Sequence, residues 1–200
     1  MHPLTTDDLL PASDYLLRRR EFHEAHRRYR DRYRRVRVGP QVSLLFENRQ
    51  TLWFRVQEFF RIARVSKGEE VQHHLDWFNT LLPQAQRLQA AFILEVAEDA
   101  NWYREFDYWR DLRGENVRMW VEGTRIPSKL VTARHEDRSL GIAHWFEFAL
   151  SDADRLNLAD PSCTVRFEVD YKRYSCFSSH VNEDIRQSLL DDLDVAARAA

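Results

Sequence analysis

The sequence predicts an α+β fold, a mainly antiparallel sheet packed with a central helix and several flanking helices. Three observations carry this. Segments with a period of two and segments with a helical period alternate irregularly along the chain. Several strand-like segments are neighbours in sequence, as antiparallel partners can be and parallel ones cannot. The stretch Leu44 to Val65, LLFENRQTLWFRVQEFFRIARV, reads as a short apolar strand, a polar joint and a helix that is apolar on more than one side. Such a helix must be covered by other elements, so it is expected at the centre.

Each element has its own signal. Thr6-Asp7-Asp8 opens a short turn that Pro11 ends, and Ser13-Asp14 then caps a long helix to about Val36. Its apolar residues are sparse (Tyr15, Leu16, Phe22, Tyr29, Tyr33), so most of it should face water. Val36 to Val38 and Val42 to Phe46 are strands around the Gly39-Pro40 turn. The central helix runs from about Asn48 to Ser66, and Lys67-Gly68 breaks it. A helix from Glu69 to Leu81 carries Val71, Leu75 and Phe78 on one side. Leu88 to Val96 is a nearly continuous apolar run, consistent with a strand buried on both faces. Glu98 to Arg113 is helical, with Trp102, Phe106 and Trp109 on one face. Val117 to Val121 and Ile126 to Thr132 are paired strands, and Gly141 to Leu150 is a strong one. Ser151-Asp152 caps a short helix. Cys163 to Tyr171 alternates as a strand with Cys163 pointing inward, Tyr174 to Phe177 is its hairpin partner, and Asn182 to Ala199 closes the chain as an amphipathic helix.

The 200 residues fit one domain, 1–200, and a chain of this length buries a sizeable core without staples. A net charge of −2 gives no global pull toward nucleic acid. Two cysteines form neither a disulfide framework nor a zinc pattern, which suits a reducing cytoplasm. The opening MHPLTTDDLL has no apolar run of the secretory kind, and no stretch has the length of a membrane span. The nucleotide-binding, hydrolase and metalloprotease fingerprints are all missing from the sequence.

Three sets of residues carry candidate chemistry. Glu58, Glu95, His144 and Glu147 form an oxygen-rich set with one imidazole, a donor type that suits iron or manganese. Against this, His144 and Glu147 stand three apart on a strand and so point to opposite faces. Ion pairing to the many arginines is the favoured role for the glutamates. Glu47, Arg49, Gln57 and Glu58 form a polar core set around the central helix, in which Arg55 and Glu58 are close enough to pair. A carboxylate among the apolar neighbours of Glu58 would be raised in pKa unless an arginine pairs with it. The arginine run from Arg18 to Arg37 and the aromatic helix offer partner surfaces, with Arg27, Arg28, Arg34, Trp102 and Trp109 as anchors. The run could also meet nucleic-acid phosphates, but Glu21, Glu24 and Asp31 interrupt it and no reader motif accompanies it.

The pattern Leu44-Leu45-Phe46-Glu47-Asn48-Arg49 with Thr51, then Gln57-Glu58, resembles an uncharacterised bacterial family of about this length. The resemblance extends to Leu4 to Tyr15, Gly39-Pro40, Leu82-Pro83, Glu95, Val121-Glu122-Gly123 and Ala143 to Phe148. Genes of that family often stand beside those for rubrerythrin and an iron–sulfur oxidoreductase. The resemblance therefore implies an accessory or interaction protein of a redox module linked to iron or peroxide, with one of those proteins as partner. Tyr171 departs from the pattern, standing where a His is expected.

Overall fold

The computed structural model describes residues 2–65, 68–96, 101–131 and 144–199. The helices are α1 Ala12–Tyr33, α2 Arg49–Ala63, α3 Gly68–Asn79, α4 Trp102–Trp109, α5 Asp152–Ala159 and α6 Glu183–Ala199. The strands are β1 Arg35–Val38, β2 Val42–Phe46, β3 Arg87–Leu94, β4 Val117–Val121, β5 Thr124–Leu130, β6 Trp145–Ala149, β7 Val165–Tyr171 and β8 Tyr174–Phe177. They form one antiparallel sheet in the order β1-β2-β3-β6-β5-β4-β7-β8, so the fold is α+β as predicted.

Local chemistry sets the boundaries. The Asn48 side chain accepts hydrogen bonds from the Gln50 and Thr51 amides, both at 3.1 Å, and this starts α2. Ser151 caps α5 in the same way through the Asp154 amide. The Glu122-Gly123 pair joins β4 to β5 with φ of 44° and 77°, the two-residue turn whose twist matches a hairpin. At the β1–β2 turn, Gly39 has φ 74°, and a Cβ there would stand 2.5 Å from the Tyr174 hydroxyl oxygen. The aromatic helix is shorter than the sequence suggests, because Asn101 caps it and it ends at Trp109. The predicted starts at Glu98 and Gly141, and the predicted ends at Ser66 and Thr132, lie outside the described residues.

The sheet curls until its edges meet. Val38 of β1 bridges Ser178, just past β8, and the Tyr174 hydroxyl donates to the Val38 carbonyl. The enclosed face carries the larger core, with Phe46, Phe92, Met119, Phe146, Phe148 and Phe167. Trp109 of α4 and Ile185, Leu189 and Leu193 of α6 pack against it. On the other face, Leu45, Ala91 and Trp145 meet Leu52 and Val56 of α2 and Leu75 and Phe78 of α3. Strand β2 is therefore buried along its whole length.

Three sequence expectations change here. Arg34 is no surface anchor, because the chain leaves α1 at Tyr33 and turns its guanidinium inward, with 0 % exposure. It donates to the Phe46 carbonyl (3.0 Å), the Glu47 carbonyl (3.2 Å) and the Ser188 hydroxyl (2.7 Å), and pairs with Asp192 of α6. Burial pushes the Asp192 carboxyl up, and this outweighs the nearby Arg34 charge. Trp109 is also buried, 5.2 Å from the Phe92 ring and 5.6 Å from that of Tyr171. Cys163 is half-buried rather than a core residue, since β7 begins only at Val165. No described helix is long and apolar enough to cross a membrane.

Candidate functional site

The site is built on one stripe of α1. Tyr15, Arg19, Phe22, His26, Tyr29 and Tyr33 recur at alternating steps of four and three, a seam that faces one neighbour. That neighbour is α2. The Phe22 ring lies 5.2 Å from Trp53, and the His26 ring stacks on Phe54 at 4.1 Å and 12°. The Asn48 amide donates to the Tyr29 hydroxyl at 2.8 Å. Above the floor of β2, β3 and β6, the helices leave a cleft of about 590 Å³. Its inner walls are apolar, with Phe54, Phe59, Trp77, Phe78, Ile93 and Trp145. Arg27, Arg30 and Arg55 supply its cationic groups, and His23 also lines it.

Both carboxylates beside the cleft are already held. Glu58 receives the Tyr15 hydroxyl at 2.8 Å, Arg19 through bonds of 2.8 and 2.9 Å, and Arg61 at 2.9 Å. These donors, Arg19 foremost, hold its carboxyl at about 2. Burial and the same carboxylate push the Tyr15 phenol well above its ordinary range. Glu47 is buried and receives the Thr51 hydroxyl at 2.7 Å and the Arg55 guanidinium. So Arg55 pairs with Glu47 rather than Glu58, and it also lies 5.4 Å from the Trp145 ring centroid. Helical spacing alone suggested the Arg55–Glu58 pair; the strand end that brings Glu47 to α2 decided otherwise.

His26 carries the clearest electrostatic signature. Burial first, and then the charges of Arg30 and Arg55, lower its pKa to about 4. It is therefore neutral at pH 7, in a positive field. Its Nδ1 and the Arg55 Nε are shielded from solvent and have no hydrogen-bond partner among the described residues.

The other sequence candidates are dispersed. Glu95 accepts from the Ser43 hydroxyl (2.8 Å) and Arg35 (3.2 Å). Glu147 pairs with Arg87 at 3.4 Å. The Nε2 of His144 meets the Trp109 carbonyl at 3.2 Å, on the sheet face opposite Glu147. Among the described residues, no three His, Cys, Asp or Glu side chains come together to hold a metal ion. The donor set Glu58, Glu95, His144 and Glu147 is thus not assembled, because each member has its own partner. Arg49 pairs with Asp8 at 2.6 Å, and Gln57 is buried on α2. Arg27 and Arg28 are exposed, and Arg27 stands at the cleft. The side chain of Trp102 lies outside the described set.

One measurement tests the Glu58 cluster. Its folded pKa lies below the ordinary 4.5, so its pairing contributes stability that is full above pH 4.5 and lost as pH falls toward 2. Allowing for partial solvent screening, that contribution is about 1–2 kcal/mol. Glu58→Gln should flatten the stability-against-pH curve across that window in urea titrations. An unchanged acid limb would show that the cluster contributes nothing.

No curated protein matches the chain. A crystal structure of a novel protein of unknown function from Burkholderia pseudomallei is similar, with a TM-score of 0.82 over 96 % of this chain and 100 % of that one. At 23 % identity this similarity establishes a shared fold. The family model that matches residues 3–193 spans α1, the cleft and all eight strands, and the chain belongs to that family, described as Protein of unknown function (DUF3501).

Proposed function

We propose that this chain is an accessory binding protein that works through the cleft between α1, α2 and α3, holding a molecule there without transforming it. One observation carries the reading. The cleft joins a large apolar interior to a cationic edge, while the carboxylate that lines it, Glu58, and Glu47 behind Arg55 are already committed to arginines. Concave, mostly apolar sites with a few convergent polar groups are the usual form of small-molecule sites. An acid or base must be free to exchange a proton with its substrate, and a carboxylate tied by several donors is poorly placed for that.

The setting comes from the family resemblance. A cytoplasmic redox module would supply the partner, a rubrerythrin or an iron–sulfur oxidoreductase, and the iron or peroxide chemistry would belong to it. The outer rows of α1 offer the docking surface, because Arg27 and Arg28 are exposed and have no ion pair among the described residues, whereas Arg18 and Arg20 are paired with Glu21 and Glu24.

Co-purification from native lysate at gentle salt is the test. The wild-type chain should retain one of these redox proteins, and Arg27→Glu with Arg28→Glu should reduce that recovery about tenfold, as loss and reversal of rim charge does. Recovery of nucleic acid alone, or equal recovery by both forms, would overturn the reading.

A further inference from the structure

The cleft's chemistry also specifies a ligand class, an inference that rests on the binding role above. We propose that the cleft binds an amphipathic carboxylate, with its apolar body against Phe54, Phe59, Trp77 and Trp145 and its carboxylate toward Arg27 and Arg30.

The apolar half follows from the walls. Aromatic side chains come from two helices and the sheet, so a hydrocarbon group inside would be enclosed on several sides. A volume of about 590 Å³ is the size of a small-molecule site. Exposed Ile62 and Ala63, at the end of α2, continue the apolar lining.

The anionic half follows from the charge inventory. Arg27, Arg30 and Arg55 line the cleft, and Glu58 is the acidic side chain among the lining residues. Glu58 is neutralised from α1 by Arg19 and from its own helix by Arg61. Arg55 is matched by Glu47, and Arg30 leans on Asp31, which is half in solvent. Arg27 remains without an ion pair among the described residues. The surplus is therefore positive. Burial is the main cause of the low pKa of His26, and the charges of Arg30 and Arg55 beside it act in the same direction. The shielded His26 Nδ1 and Arg55 Nε have polar capacity that no described protein group meets. A carboxylate supplies acceptors for guanidinium donors, and it suits a neutral imidazole in its N–H tautomer. A cationic or neutral ligand would leave the surplus charge unmatched.

The test uses three probes of equal length, octanoate, octan-1-ol and octylamine, titrated calorimetrically and by tryptophan fluorescence, because Trp77 and Trp145 line the cleft. Octanoate should bind about tenfold or more tighter than octanol, the scale of a charge-assisted hydrogen bond, and octylamine should bind more weakly than either. Arg27→Gln with Arg30→Gln should bring octanoate to the octanol level. Ala63→Trp, at an exposed lining position, should weaken octanoate and octanol together. Circular dichroism confirms that these surface variants fold. Equal binding of the three probes, tighter octylamine, or no binding by the folded wild type would overturn the ligand class. If redox-partner capture persists in that case, the accessory role through the α1 surface stands and only the ligand class fails. If both are lost, the binding role fails too.

Discussion

Arg34→Met is expected to cost about 3–5 kcal/mol of folding stability, the range for removing one partner of a buried ion pair. The substitution leaves Asp192 buried against a methionine, with its charge unmatched. It also strips donors from the Phe46 and Glu47 carbonyls at the point where β2 passes into α2. Adding Asp192→Leu removes the stranded carboxylate, so the double variant should recover most of the loss. Guanidinium unfolding of the wild type, both single variants and the double variant gives the cycle. A loss below about 1 kcal/mol for Arg34→Met would mean that the pair is not a structural clamp.

Gly114→Ala should be nearly as damaging, for a different reason. Gly114 begins the 3₁₀ turn Gly114–Asn116 ahead of β4, and its carbonyl accepts from the Ser128 hydroxyl of β5 at 2.9 Å. An added Cβ would overlap the Ser128 carbonyl oxygen and stand 2.9 Å from its carbon. The obstacle is strand backbone, which no rotamer change relieves. Strand β5 lies between β4 and β6 in the sheet order, so it cannot shift alone. The expected cost is about 3 kcal/mol, read as a lowered melting temperature. Gly68→Ala is the control, since nothing lies within 4 Å of its added Cβ and no loss is expected. Equal melting temperatures for the two variants would refute the close approach.

Much of the fold was legible because it depends on short-range rules. Ser151 is a helix cap by type and position, and the hairpin partner expected near Tyr174 to Phe177 is β8. The run from Leu88 showed a strand covered on both faces, and β3 is such a strand. The errors came where one residue type serves two environments. In an arginine run, Arg34 looks like its neighbours, and only the end of α1 turns it inward. Trp109 read as an exposed anchor because its partners Phe92 and Tyr171 lie far away in sequence. The cleft was invisible for the same reason, as its walls come from α1, α2, α3 and the sheet. The four-and-three spacing of α1 is a signal of it in the sequence, and it shows only when Arg19 and His26 are taken together with the apolar residues.

The meeting of Val38 with Ser178 has a consequence for how the chain is made. Strand β1 finds its far neighbour only after some 140 further residues have followed it from the ribosome. Arg34 waits longer still, because Asp192 lies in the last helix. Until that helix emerges, the nascent chain exposes one face of β1 and β2 and a buried arginine without its counter-charge. Pairings this distant in sequence close slowly. Closure of the sheet thus waits on its most distant pairings, and a chain truncated before α6 is expected to expose its larger core and aggregate.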